Sequence, residues 1–201
     1  MLQLLCQKGD VPGELIPFLY FEYLRSREAW RLLPVFHHNA LDILTLACLT
    51  AIVPAAFRST DVQTLARLGV KRGEDLAGIA RWLLNAGEHQ RALDVLQCAV
   101  NAGLPDALLF ASLWNIALLA KKLKHEESAL RHFNELASCR NPYRINALEE
   151  LAKHYEHTVK NYPLALQCTH QALRHAETDA LLRRKERLQR RLQTPRPVKL
   201  L

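Results

Sequence analysis

The sequence predicts an all-α fold, built largely from repeated helix pairs, and three observations carry that reading. Glycine is scarce, with seven in 201 residues. The Val, Ile and Thr clusters that mark strands are missing. Leu and Ala recur at spacings of three and four almost throughout, the period of a helix that buries one face. Helices are expected at 17–26, 39–56, 60–68, 73–86, 90–102, 106–122, 126–137, 146–160, 162–176 and 179–193. The breaks between them fall at Pro12-Gly13, Pro54, Gly69, Gly87, Gly103-Leu104-Pro105, Asn141-Pro142 and Pro163, since Gly and Pro are the strongest local punctuation.

Self-comparison shows a repeat. The first copy carries Leu76, Ile79, Ala80 and Leu83 on one helix, turns at Gly87, and carries Ala92, Leu96 and Ala99 on the next. The second has Leu113, Ile116 and Ala117, then Ala129, Phe133 and Leu136. The third has Leu148, Leu151, Ala152 and Tyr155, then Tyr162, Ala165, Thr169 and Ala172. Ala92, Ala129 and Ala165 lie 37 and 36 residues apart, and a small residue is needed where two antiparallel helices cross closely. The pattern resembles tetratricopeptide repeats, whose period is about 34 residues, although the usual tryptophan and turn proline are mostly missing. Stacked side by side, three such units bury a continuous core as a helical-repeat solenoid. The alternative is a non-repetitive bundle.

Charge is segregated. The chain has 27 Lys and Arg against 20 Asp and Glu, a net charge of +7. Residues 183–199 hold eight basic side chains and one acid, so the remainder is neutral. Helix 179–193 puts Leu181, Leu188 and Leu192 on one stripe among charged and amide residues. That is the pattern of a terminal capping helix with a polar outer face. Its arginines, Arg183, Arg184, Arg187, Arg190 and Arg191, are also the candidates for touching nucleic-acid phosphates. The longest apolar stretch, from about Ala40 to Ala56, is interrupted by Asp42, Thr45 and Thr50 and falls short of the roughly 20 residues of a bilayer span. Neither a membrane segment nor, at residues 1–10, a signal peptide is expected. Cys6, Cys48, Cys98, Cys139 and Cys168 form no Cys-x-x-Cys pair and read as reduced, mostly buried thiols of a cytoplasmic protein. Trp30, Trp82 and Trp114 read as core anchors. His125, His132, His154, His157, His170 and His175 read as surface residues.

Residues 37–42, His-His-Asn-Ala-Leu-Asp, admit two readings. Asn39 is a good N-cap and Asp42 three residues later suits a helix first turn, so the pair can start a helix. Alternatively, His38 and Asp42, four apart, face the same way. A carboxylate beside an imidazole suits metal-assisted phosphodiester hydrolysis, with Asp42 holding Mg²⁺ or Mn²⁺ and the His taking a proton from attacking water.

Val11-Pro12-Gly13, Ile16-Pro17, Tyr20, Tyr23-Leu24, then Val35-Phe36-His37-His38-Asn39 and Asp42-Ile43-Leu44-Thr45-Leu46 resemble the last part of a bacterial ribonuclease-H-like domain. The similarity is to the YprB-like family, of the DEDD group of 3′–5′ exonuclease folds, which carries tetratricopeptide repeats after that domain. Glu149 to Thr158, followed by Tyr162 and Ala165, resembles the family's third repeat, so the likeness runs from Gly9 to about Gln193. The resemblance implies Asp42 as metal ligand, His38 or His37 as general base, Mg²⁺ or Mn²⁺ as cofactor and nucleic acid as substrate. The family also needs an early Asp-x-Glu pair on a strand, and none occurs in this sequence.

The expected organisation is therefore the end of a ribonuclease-H-like domain at 1–58, repeats at 59–178, and a basic capping helix and tail at 179–201. The chain reads as a C-terminal portion of such a nuclease, catalytically incomplete because a two-metal site for the intact family's Mg²⁺ or Mn²⁺ cannot be assembled from Asp42 alone, or alternatively as a helical-repeat scaffold for a protein partner. From Ala40 to Val53, 11 of 14 residues are apolar and surround the helix. A helix apolar on all sides must be covered on all sides, which predicts self-association through residues 40–53 where no sheet covers them.

Overall fold

The computed structural model describes residues 11–58 and 62–193, and among these the secondary structure is helical, with no strand. The chain divides into two compact units at Val70/Lys71; the sequence had placed a boundary near residue 58 and a second near 178.

In the first unit, a 3-10 turn at Gly13–Leu15 leads into α1 (Ile16–Ser26), with Pro17 in its first turn, where a missing N–H is no loss. Arg27 closes α1 in the left-handed conformation, φ 59°, its N–H donating to the Tyr23 carbonyl at 2.7 Å. The 3-10 segment Ala29–Leu32 is tied back by Arg31, whose guanidinium reaches Glu28 at 2.7 Å and Glu22 of α1 at 3.2 Å. Then α2 runs from Leu33 to Arg58 and α3 from Val62 to Arg67.

Helix α2 corrects three expectations. It starts at Leu33, with Pro34 in its first turn, so Asn39 lies in the second turn and cannot be an N-cap. It continues through Pro54, which forfeits the ladder bond from residue 54 to the Thr50 carbonyl and crowds that carbonyl with its ring. The earlier start also gives Ala29–Ala55 the length and apolar composition of a bilayer span, a test that the core helix of a soluble protein passes as well. Its most apolar window holds no buried residue. Ile43 is 67% exposed and Phe36 62%. Trp30, expected in a core, is 64% exposed beneath the Arg31 guanidinium, 5.0 Å from the ring centre.

The second unit is a stack of three helix hairpins: α4 (Gly73–Asn85) with α5 (His89–Asn101), α6 (Asp106–Lys122) with α7 (Glu126–Ser138), and α8 (Arg144–His154) with α9 (Tyr162–Leu173). Each hairpin packs on the next, and α10 (Asp179–Gln193) closes the stack against α9. Every repeat position picked out above is buried except Tyr155 and Tyr162. Trp114 stacks on Tyr143 with ring centres 5.7 Å apart and joins the core around Phe133, whereas Trp82 is 41% exposed. His132 and His154 are mostly buried rather than surface groups, their side chains 13% and 16% accessible. Cys48, Cys98, Cys139 and Cys168 are free thiols and half-buried.

The hairpin turns share one geometry. Five residues before each anchor alanine stands a left-handed residue: Gly87 at φ 80°, Lys124 at 62° and Lys160 at 59°. Glycine adopts that conformation without penalty, while a lysine there costs about 1 kcal/mol. In the first two turns the next residue donates its N–H five residues back, Glu88 to Leu83 and His125 to Ala120, at 2.9 and 2.8 Å. That is the terminating bond of a Schellman cap. The third hairpin carries one extra residue, since Ala80 to Ala92 and Ala117 to Ala129 span twelve positions and Ala152 to Ala165 spans thirteen. The surplus is absorbed by a π-helical turn at Tyr155–Val159, and Asn161 donates six residues back to Tyr155 at 2.8 Å.

Gly73 opens α4 against the far end of its own hairpin. A Cβ there would lie 2.2 Å from the Gly103 carbonyl oxygen and 2.8 Å from that of Ala99. Backbone cannot yield as a side-chain tip does, so Gly73→Ala is expected to lower unfolding stability by about 1–3 kcal/mol, measured by denaturant titration against Gly78→Ala, whose Cβ would meet open space and which should raise stability by about 0.5–1 kcal/mol. The uncovered α2 generates a second expectation. Light scattering of the full chain should report species heavier than one monomer, shifting toward monomer in Ile43→Glu/Leu44→Glu. A monodisperse wild-type monomer would contradict it.

Candidate functional site

The sequence-derived metal and base candidates all lie on α2. Four residues advance a helix by slightly more than one turn, so His38 and Asp42 share a face. The His38 Nε2 lies 3.3 Å from the Asp42 Oδ2. The imidazole is 18% accessible and the carboxylate 62%, which leaves Asp42 with an oxygen edge open to solvent. His37 is exposed, and five residues from Asp42 it projects from a different side of the helix. Of the two base candidates, the structure pairs His38 with Asp42 and sets His37 apart.

Among the described residues no three His, Cys, Asp or Glu side chains gather where they could hold a metal ion. Mg²⁺ is held in near-octahedral oxygen geometry, and two-ion phosphodiesterase sites need several carboxylates. One carboxylate and one imidazole do not complete such a shell, so these residues alone do not fit the ion.

The five arginines of α10 divide. Arg184 and Arg187 turn inward onto Glu156: Arg184 donates at 2.9 Å, and Arg187 donates through two nitrogens at 2.8 and 2.9 Å. Arg191 lies over the Tyr162 ring at 5.3 Å, and Arg190 is 3.7 Å from Glu186 while remaining 80% accessible. Arg183 is exposed. Leu181 and Leu188 are buried against the stack, as a capping helix requires, and Leu192 is 42% exposed. Arg196 and Lys199 lie outside the described residues, as does Cys6.

Glu156 is the group that sequence reasoning missed. It is 1% exposed and lies nine residues before Ala165, the position held by Leu83 and Ala120 in the other hairpins, both buried. A carboxylate where two repeats carry an apolar residue was the available signal, together with Arg184 and Arg187 three apart on a following helix. Burial opposes ionisation of Glu156, but the hydrogen bonds and charges of Arg187 and Arg184 outweigh it and hold its carboxyl below the ordinary value.

Comparison with known proteins adds one relative. The chain is 30% identical over 189 residues to "Uncharacterized protein YprB" of Bacillus subtilis (strain 168), a match covering 90% of this chain and 44% of the relative. The chain thus spans less than half the length of the curated relative it matches. No protein-family model and no solved structure matches it.

The Glu156 lock has a pH signature. A carboxylate with a depressed folded value contributes stability above its unfolded value, and that contribution is lost as pH falls through the folded one. Stability of the hairpin stack should therefore decline below about pH 4.3, the ordinary glutamate value. Glu156→Gln should flatten that acid limb and lose about 1–3 kcal/mol at neutral pH, because Arg184, 15% accessible, loses its charge partner while Arg187, 45% accessible, regains water. Urea titrations at pH 3.5 and 7 check both; an unchanged acid slope in the variant would remove Glu156 as its source.

Proposed function

We propose that this chain is the helical, C-terminal portion of a metal-dependent ribonuclease-H-like 3′–5′ exonuclease-type protein, followed by tetratricopeptide-like repeats. The observation that carries this reading is the His38–Asp42 contact at 3.3 Å, within the segment Val11 to Leu46 whose motifs resemble the final metal motif of that group. In this reading Asp42 contributes one oxygen ligand and His38 stands beside it as the base. The remaining carboxylates, including the Asp-x-Glu pair that this sequence lacks, come from polypeptide outside this chain. Bound divalent ions would supply activation of water and neutralisation of phosphate charge. The exposed Arg183 and Arg190 offer phosphate contacts, while Arg184 and Arg187 serve Glu156.

A second reading, a non-catalytic helical-repeat scaffold, is favoured by the donor count at α2 and by the packing of the three hairpins on one another. Mn²⁺ binding separates the two. Titrated into the full chain, Mn²⁺ should bind weakly, and Asp42→Ala should abolish that binding while leaving the circular dichroism spectrum unchanged. The chain alone should hydrolyse neither single-stranded DNA nor RNA. Equal Mn²⁺ binding by wild type and variant would remove Asp42 as a ligand and leave the scaffold.

A further inference from the structure

A groove of about 720 Å³ opens at the turn end of the second and third hairpins, within the size range of ligand-binding pockets. Its wall includes Ala129, Leu130 and Phe133 of α7. Four fixed cations border it: Lys121 at the end of α6, Lys124 in the turn, Lys153 of α8 and Arg184 of α10. Two carboxylates, Glu126 and Glu150, share the lining, and with Arg184 paired to Glu156 the three lysines leave a net charge of +1. The π-helical turn that absorbs the extra residue of the third hairpin adds His157 and Thr158. π turns are frequent at functional sites.

Two features indicate that the cations are arranged rather than merely solvated. Lys121 and Lys153 arrive from different hairpins and meet on the same carboxylate of Glu150. An ammonium has three donors, so one contact to Glu150 leaves each lysine able to take a second anion. Lys124 occupies a left-handed position, φ 62°, where the first hairpin has Gly87. It makes no ion pair among the described residues.

We propose that this groove binds an acidic peptide segment, with carboxylates on Lys124, Lys121 and Lys153 and an apolar side chain against Leu130. A nucleic acid fits less well. Phe133 is 2% exposed and offers no face for stacking a base.

Fluorescence anisotropy with the full chain tests this, using fluorescein-labelled Glu-Glu-Leu-Glu-Glu, its Lys-Lys-Leu-Lys-Lys counterpart and a labelled twelve-nucleotide oligo-dT. The acidic peptide should bind saturably and the basic one should not. Lys124→Gly should raise the melting temperature, by relieving the turn, yet weaken peptide binding about three- to fivefold. Lys160→Gly, at the same turn position of the next hairpin but outside the groove, should raise the melting temperature and leave binding unchanged. Weaker binding by a more stable variant cannot come from misfolding. Three results would each overturn the proposal: no saturable acidic-peptide binding, equal loss in both variants, or oligo-dT binding that displaces the peptide and weakens in Lys124→Gly.

Discussion

The second unit depends on one recurring constraint, the close crossing of two antiparallel helices at an alanine five residues after a left-handed turn. Ala92, Ala129 and Ala165 are 3% exposed or less, so a larger side chain at any of them would push the helices of a hairpin apart. The turn residue before each alanine sets the angle at which the second helix returns. Because crossing and turn recur together, the buried faces of successive hairpins line up and form continuous clusters, such as the one around Leu113, Phe133, Leu136 and Leu151. The one-residue surplus in the third hairpin would rotate its second helix by about 100° if carried along an α-helix. The π turn at Tyr155–Val159 confines it to five residues.

The end of the stack is closed by charge as well as by apolar contact. Leu181 and Leu188 of α10 are buried, and between them Arg184 and Arg187 meet Glu156 at the position where the other hairpins carry Leu83 and Ala120. A buried carboxylate is tolerable only with full hydrogen-bonded pairing, and Glu156 has three donated bonds from two guanidinium groups. Helix α10 is thereby committed in register and direction to the third hairpin. Two of the arginines that give the chain its positive charge are structural groups.

Much of this was legible in the sequence because it depends on local periodicity. The hairpins, their anchors and nine of the ten helix starts follow from Leu and Ala spacing and from Gly and Pro breaks to within a few residues. The start of α2 was not legible. Asn39 and Asp42 carry a capping pattern, and nothing in that local signal competes with Leu33-Pro34, which begins the helix six residues earlier. Aromatic burial was misread for Trp30 and Trp82, since a tryptophan's place depends on what the fold brings against it. The pairing of Glu156 was hidden by the 28 residues separating it from Arg184. At the metal and base candidates, i,i+4 spacing sufficed to pair His38 with Asp42, while the sequence left His37 open as the alternative base.

The two units differ in what holds them. Residues 73–193 bury their own apolar faces, whereas α2 exposes Phe36, Ile43, Leu44 and Leu46 and needs a covering surface to satisfy an apolar circumference. Hydrogen exchange of the full chain, followed by mass spectrometry at several protein concentrations, tests this contrast most directly. Amides of the hairpin helices should exchange slowly and independently of concentration, while those of residues 36–53 should exchange faster and gain protection as concentration rises. Slow, concentration-independent exchange in α2, equal to that of α7, would contradict the account.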